Sequence, residues 1–377
     1  MKTIRDIPVY DSIPMVVRAA LNVPVENGKV TNTFRLRKAL PTIEFLRKKN
    51  ARVILIGHIG EAGTETLQPV YEALKKLLPE LQFSPVTIGE AARAAVRDLP
   101  PGGVLMLENL RRDRGEVTND KKFATALAEL ADVFVEDSFD VCHRAHASVV
   151  GVPQLLPSYA GLLVEEEVRE LSKALAPKHP ALALIGGSKF STKEPVLTKL
   201  LELYDRVFVG GALGNDFVMA MGHSVGTSLV SNADPKAIKS LLANRKLAVP
   251  LDAIVGTLGN KRTDADVCRL DSIPADKAIL DEGPQTTAML INLIQNAKTI
   301  LWNGPAGNYE NGYTDSTFAL AKAIAESDSY SLVGGGDTVA AIEDLGASDH
   351  ISFVSTGGGA MLDFLAKGTL PGLSVLW

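Results

Sequence analysis

Three glycine-rich turns, each directly after an apolar β-like run, lie in the C-terminal half: Gly186-Gly187-Ser188-Lys189, Gly334-Gly335-Gly336-Asp337-Thr338 and Ser355-Thr356-Gly357-Gly358-Gly359. Glycine lets a backbone approach a phosphate closely, and a following helix N-terminus adds positive potential. Any one of these turns reads equally well as a tight connection. Three of them, joined by Trp302-Asn303-Gly304-Pro305, point to a nucleotide whose phosphates are held by backbone N–H groups. Lys189 and Lys193 are four apart and share a helical face, able to meet one anion. Their spacing from the glycines is not that of a Walker A loop. Asp337 could hold Mg²⁺, which usually takes one or two protein carboxylates plus phosphate oxygens, or it could cap a helix over 338–344. The N–H groups of 355–359 could face a transferring phosphoryl group. Residues 302–307 form a rigid turn fit to wall a base or sugar. Glu310 could bond a ribose hydroxyl, or be an ordinary surface acid.

The N-terminal half offers cations instead. Arg18, Arg35, His58, Arg111 and Arg144 all read as lying in or beside turns between elements. Singly, each is an unremarkable surface charge or ion-pair member. Grouped at strand ends they converge, and arginine's planar fork pairs bidentately with phosphate or carboxylate. His143 and His146 make a poor metal site, with no third ligand at suitable spacing. No nucleophile–base pair stands out. Phosphoryl transfer between two bound ligands needs positioning and charge stabilisation, and often no protein nucleophile.

The elements that must position these groups alternate. Expected strands are 53–56, 104–107, 133–135, 181–185, 207–209, 300–302, 330–333 and 351–354. Expected helices are 33–48, 67–77, 121–130, 195–203, 284–296 and 317–325. Strands followed by helices read as βαβ units with parallel sheets. Ligands then sit beyond the carboxyl ends of the strands. The length of 377 residues suggests two domains. The fold class expected is α/β, two doubly wound, Rossmann-like parallel-sheet domains facing a cleft and joined by a helix. The division falls at 1–157, a linker helix over 158–176, and 177–366, with 367–377 returning to the first domain. A formal net charge of −5 argues against a nucleic-acid partner. Two cysteines fit a reducing compartment, and no stretch has the length and apolarity of a membrane span. The chain reads as cytoplasmic, with small-molecule partners.

Taken together, the blocks Asn22-Val23-Pro24, Thr31-Asn32 through Arg35 to Ala39-Leu40-Pro41-Thr42-Ile43, Leu107-Glu108-Asn109-Leu110-Arg111, His143-Arg144-Ala145-His146-Ala147-Ser148, Gly186–Lys189, Trp302–Pro305, Gly334–Thr338 and Ser355–Ala360 resemble the phosphoglycerate kinase family over essentially the whole chain. The resemblance implies a hinge-closing monomer that moves phosphate between 1,3-bisphosphoglycerate and Mg-ADP, giving 3-phosphoglycerate and ATP. It implies that Asn22, Arg35, His58, Arg111 and Arg144 bind the phosphoglycerate, with Arg35 also steadying the transferring group. Gly187, Lys189, Lys193, Gly210, Gly211, Asn303, Pro305, Glu310, Gly336, Asp337 and Thr338 would bind the nucleotide, Asp337 holding the metal. Gly357, Gly358 and Gly359 would join Arg35 and Lys189 at the reaction centre.

The departures from the family pattern concern the substrate. Ala20 replaces an acid expected to bond the substrate hydroxyl, and Glu61 replaces a phosphate-facing arginine. Thr192 stands where an aspartate normally precedes Lys193, and Ala212-Leu213 interrupts a glycine run. Two unit charges about 4 Å apart interact by roughly 1 kcal/mol in water and about 4 kcal/mol at an effective dielectric of 20, so Glu61 would weaken phosphate binding if it faced the ligand. Pairing with Arg112 or Arg114 would remove that effect. Two alternatives follow: a kinase of the same fold for another carboxylate, and a non-catalytic nucleotide-binding paralogue.

Overall fold

Strand alternation in the run Pro14–Ala19 sets the frame of the N-terminal unit. Met15 and Val17 pack into one apolar layer, with Leu36, Ile43, Val53 and Leu55. Val16 enters the opposite layer, with Ile54, Ile56, Leu105, Leu107 and Phe134. This period of two places Arg18, at the strand's carboxyl end, on the same side as Val16. In the computed structural model, which describes residues 1–231, 233–263 and 265–377, the chain divides into two units. The first comprises Met1–Arg169 with Thr369–Trp377, the second Glu170–Gly368.

The strands of the first unit are β1 (Pro14–Ala19), the hairpin β2 (Val25–Glu26) and β3 (Lys29–Val30), β4 (Arg52–Ile56), β5 (Gln82–Ser84), β6 (Val104–Leu107), β7 (Val133–Asp137) and β8 (Ser158–Ala160). Six of them form one sheet in the order β5-β6-β4-β1-β7-β8, every pair parallel. Its central strands are buried on both faces, as a helix-covered parallel sheet requires. Two sequence expectations are corrected here. Arg18, expected in or beside a turn, is the next-to-last residue of the central strand β1 and is fully buried. The segment from Ser158 is not helical at once: β8 forms the sheet's edge, and the helix runs Leu162–Ala174.

The second unit repeats the scheme. Its strands are β9 (Ala181–Ile185), β10 (Arg206–Val209), β11 (Leu247–Ala248), β12 (Asp252–Gly256), β13 (Asp266–Arg269), β14 (Ala278–Glu282), β15 (Thr299–Asn303), β16 (Tyr330–Gly334) and β17 (Phe353–Val354). The main sheet is parallel, in the order β11-β10-β9-β15-β16-β17. The three-stranded sheet β13-β12-β14 is antiparallel and was not foreseen. The turns after β9, β10, β15 and β16 all emerge at the carboxyl edge. Both units are therefore α/β with parallel sheets.

Candidate active site

In the first unit the strand-end residues join into one hydrogen-bonded chain. Arg35, on the helix Phe34–Arg47, donates to the Asn22 carbonyl at 2.7 Å and lies 3.5 Å from Asp140. The Asn22 side chain accepts from Gly60 N–H at 3.2 Å. The Gly60 carbonyl accepts from Arg111 Nη1 at 2.5 Å. Arg111 and Arg144 both reach Glu61, at 2.9 and 3.3 Å. Four of the five expected substrate residues are thus brought together directly. The fifth, His58, sits at the end of β4 and is nearly fully buried. Arg18 Nη2 lies 2.9 Å from His58 Nδ1. Guanidinium nitrogens only donate, so Nδ1 accepts and the imidazole proton resides on Nε2. Burial, then the charges of Arg18, Arg111 and Arg144, drive the His58 pKa far below its ordinary value, so the ring is neutral. The same influences, burial foremost, lower that of His146 to about 4.

Arg18 is itself anchored. Its Nε donates to Ser148 Oγ at 3.0 Å, and Ser148 donates from Oγ (2.6 Å) and N–H (2.9 Å) to the buried Glu116. A buried cation survives only when paired and hydrogen-bonded. Glu116, through Ser148, meets that need without occupying the outward face of the cluster. Nothing in the sequence marked a role for either residue, although Ser148 closes one of the blocks shared with the family.

Glu61 corrects a further expectation. Its partners are neither Arg112, which bonds Glu108 at 3.1 Å, nor Arg114. It bridges two of the arginines expected to bind phosphoglycerate. Its partial burial favours the neutral acid, but hydrogen bonds and charges from Arg144 and Arg111 outweigh this and hold its pKa below the ordinary carboxylate value. Ala20 is fully buried.

In the second unit the turns interlock. Gly186 N–H donates to the Asn303 carbonyl at 2.8 Å, and Gly304 N–H to Thr338 Oγ1 at 3.0 Å. Gly304 has φ +98°, and a Cβ there would come within 2.5 Å of the Gly186 carbonyl carbon. Only glycine fits this crossing of the β9 and β15 turns. A cavity of about 350 Å³ opens beside them, its lining including Gly187, Gly211, Pro305, Glu310 and Asp337. Apolar Leu229, Leu258 and Leu280 complete it, a surface suited to an aromatic base. Asn215, Asp281 and Glu282 also line it and were missed. The run Leu280-Asp281-Glu282-Gly283-Pro284, a strand end meeting a helix start, was the available signal. Burial raises the Asp281 pKa to about 7. Glu282 is pushed well up by burial, though it accepts from Gly211 N–H at 3.0 Å.

Lys189 is the exposed residue preceding the helix Phe190–Leu203. Lys193, one turn in, donates to Asn303 Oδ1 at 3.1 Å. Among the described residues no carboxylate pairs with it, and burial lowers its pKa to about 8. Asp337 lies in the first turn of the helix Gly336–Asp344, whose capping position belongs to Gly335, so the capping role is not its own. Burial first, and Glu310 second, raise its pKa. Gly210 precedes the helix Gly211–Ala220. Gly357, Gly358 and Gly359 stand outside the cavity's lining. The Gly357 N–H is engaged by Ser355 Oγ at 3.0 Å, whereas Gly358 and Gly359 open the helix Gly359–Lys367.

The family model for phosphoglycerate kinase matches residues 4–368. The chain belongs to the phosphoglycerate kinase family. It is 42% identical over 390 residues to the phosphoglycerate kinase of Roseiflexus castenholzii, covering all of this chain and 98% of that protein. It is 42% identical over 375 residues to that of Thermus thermophilus, covering 96% of each. The solved phosphoglycerate kinase of Coxiella burnetii is 37% identical with a TM-score of 0.82, over 99% of this chain and 98% of that one. That of Pyrococcus horikoshii is 28% identical with a TM-score of 0.90, over 100% and 98%. The chain is therefore a phosphotransferase with a carboxyl group as acceptor, and its reaction is the family's transfer between 1,3-bisphosphoglycerate and ADP. No helix among the described residues is long and apolar enough to cross a membrane.

Proposed function

We propose that Asn22, Arg35, His58, Arg111 and Arg144 hold phosphoglycerate, and that Gly187, Lys189, Lys193, Gly210, Gly211, Asn303, Pro305, Glu310, Gly336, Asp337 and Thr338 hold the nucleotide. In the ATP-consuming direction a carboxylate oxygen of 3-phosphoglycerate attacks the γ-phosphorus. The bond from that phosphorus to the β-phosphate oxygen breaks, and ADP leaves with the electron pair. No protein nucleophile is needed. Arg35 and Lys189 offset charge on the transferring group, with N–H groups of Gly358 and Gly359. In this reading Gly357 supports the turn, since its N–H already donates to Ser355 Oγ.

The observation that carries the nucleotide half is Lys193: a half-buried cation, among the described residues without a carboxylate partner, packed beside the glycine turn at Gly187. A buried unpaired charge is costly, and a polyphosphate would relieve it. Mg²⁺ fits the donor chemistry. Asp337 and Glu310 repel one another at the cavity, and a hard cation held by Asp337 would ease that repulsion. The ion would neutralise phosphate charge there. Transfer requires the two units to close on their ligands, a hinge motion in a cytoplasmic monomer.

A coupled assay with MgATP and 3-phosphoglycerate tests the assignment. Arg35→Ala and Lys189→Ala should each lower kcat by about 100-fold or more, the scale of losing one transition-state donor. Unimpaired kcat in either variant would refute that residue's role.

A further inference from the structure

Glu61 occupies the arginine pair in a way that leaves binding capacity unused. Both its carboxylate oxygens face the Arg144 fork at 3.3 Å, and Oε2 also takes Arg111 Nη1 at 2.9 Å. The Arg111 side chain is only 2% exposed, yet its Nε and Nη2 have no acceptor. A planar carboxylate has two oxygens, and both are already committed. A tetrahedral phosphate dianion has three, enough to engage Arg144 and the idle nitrogens of Arg111 together. Mobility differs in the same sense. The Glu61 side chain is 72% exposed and can pass into water cheaply, whereas Arg111 is fixed by the Gly60 carbonyl.

We propose that Glu61 is a built-in competitor for the phosphate seat, which the phosphate of the substrate displaces, and that it thereby sets substrate affinity and selects for a dianionic phosphate. A ligand bringing only another carboxylate offers the arginines nothing that Glu61 does not supply already. A phosphate does, through its third oxygen and second charge. The inference rests on the phosphoglycerate-binding role proposed above for Arg111 and Arg144.

The test uses the full chain with Glu61→Gln and Glu61→Ala, the first keeping shape and removing charge. Binding of 3-phosphoglycerate is measured by titration calorimetry, and the KM values by coupled assay. Both variants should bind 3-phosphoglycerate about three- to tenfold more tightly, the scale of one or two solvent-exposed ion pairs. The KM for MgATP, whose site lies in the other unit, should not move. Unchanged or weaker 3-phosphoglycerate binding in both variants, with wild-type turnover intact, would overturn this inference alone, because Glu61 would then be aligning the arginines. Failure of all three proteins to bind 3-phosphoglycerate would overturn it together with the site assignment.

Discussion

Lys193 is where removing one charge should report most directly on how this protein is built. Its pKa of about 8, against an ordinary 10.5, means that folding strips water from an ammonium and returns no carboxylate. At about 1.36 kcal/mol per pKa unit the gap is worth roughly 3 kcal/mol, which partial solvent access trims to about 2–3 kcal/mol. The sign follows from proton counting. Between pH 8 and 10.5 the unfolded chain binds the proton that the folded chain has lost, so stability rises with pH across that window. The penalty is fully present below pH 8. Lys193→Met keeps the stem and deletes the charge. It also deletes the bond to Asn303, a loss that does not vary with pH because neutral lysine still donates. Urea unfolding of both proteins should be followed from pH 7 to 10.5 in a Trp377→Phe background, so that buried Trp302, next to Asn303 in β15, reports on the second unit. Relative to the variant, wild type should gain about 2–3 kcal/mol over the window. ADP binding to wild type above pH 8 should also take up protons. Parallel stability curves would refute the reasoning, since an amine solvated in the free protein has no such penalty.

Three further outcomes are expected. Asp281, raised to about 7 by burial, favours the folded state most below pH 4 and loses that contribution as pH rises through 7; wild type minus Asp281→Asn should fall by about 1–3 kcal/mol across that range, and a flat difference would contradict it. Ser148→Ala deprives buried Arg18 and Glu116 of one partner each and should destabilise the first unit by about 2–4 kcal/mol, read as faster amide exchange in β1 and β4 than in β9 and β15. Gly304→Ala forces a Cβ against Gly186 at positive φ and should cost about 2 kcal/mol or more with at least tenfold weaker ADP binding, so a silent substitution would mean that the two turns separate easily.

The amino-acid sequence alone determined the alternation of strands and helices, the helix Pro284–Asn296 to the residue, the glycine turns and the family. These rest on local causes: hydrophobic period, proline and glycine chemistry, and the order of short blocks along the chain. It misled at β1, because a charge inside an apolar run looks like a break. Arg18 is tolerated there because Ser148, backed by Glu116, and Glu136 beside it on β7, all more than ninety residues away, come to meet it. The three-stranded sheet escaped for a related reason: β13 is largely exposed and its identity comes from pairing with β12. Glu61 shows the same limit at the site. Its charge was plain from the sequence, but whether it met Arg112 next door in the chain or Arg144 eighty-three residues away was decided by which loops the sheet brings side by side. Ion pairing depends on distance in space, and only the folded chain sets that distance.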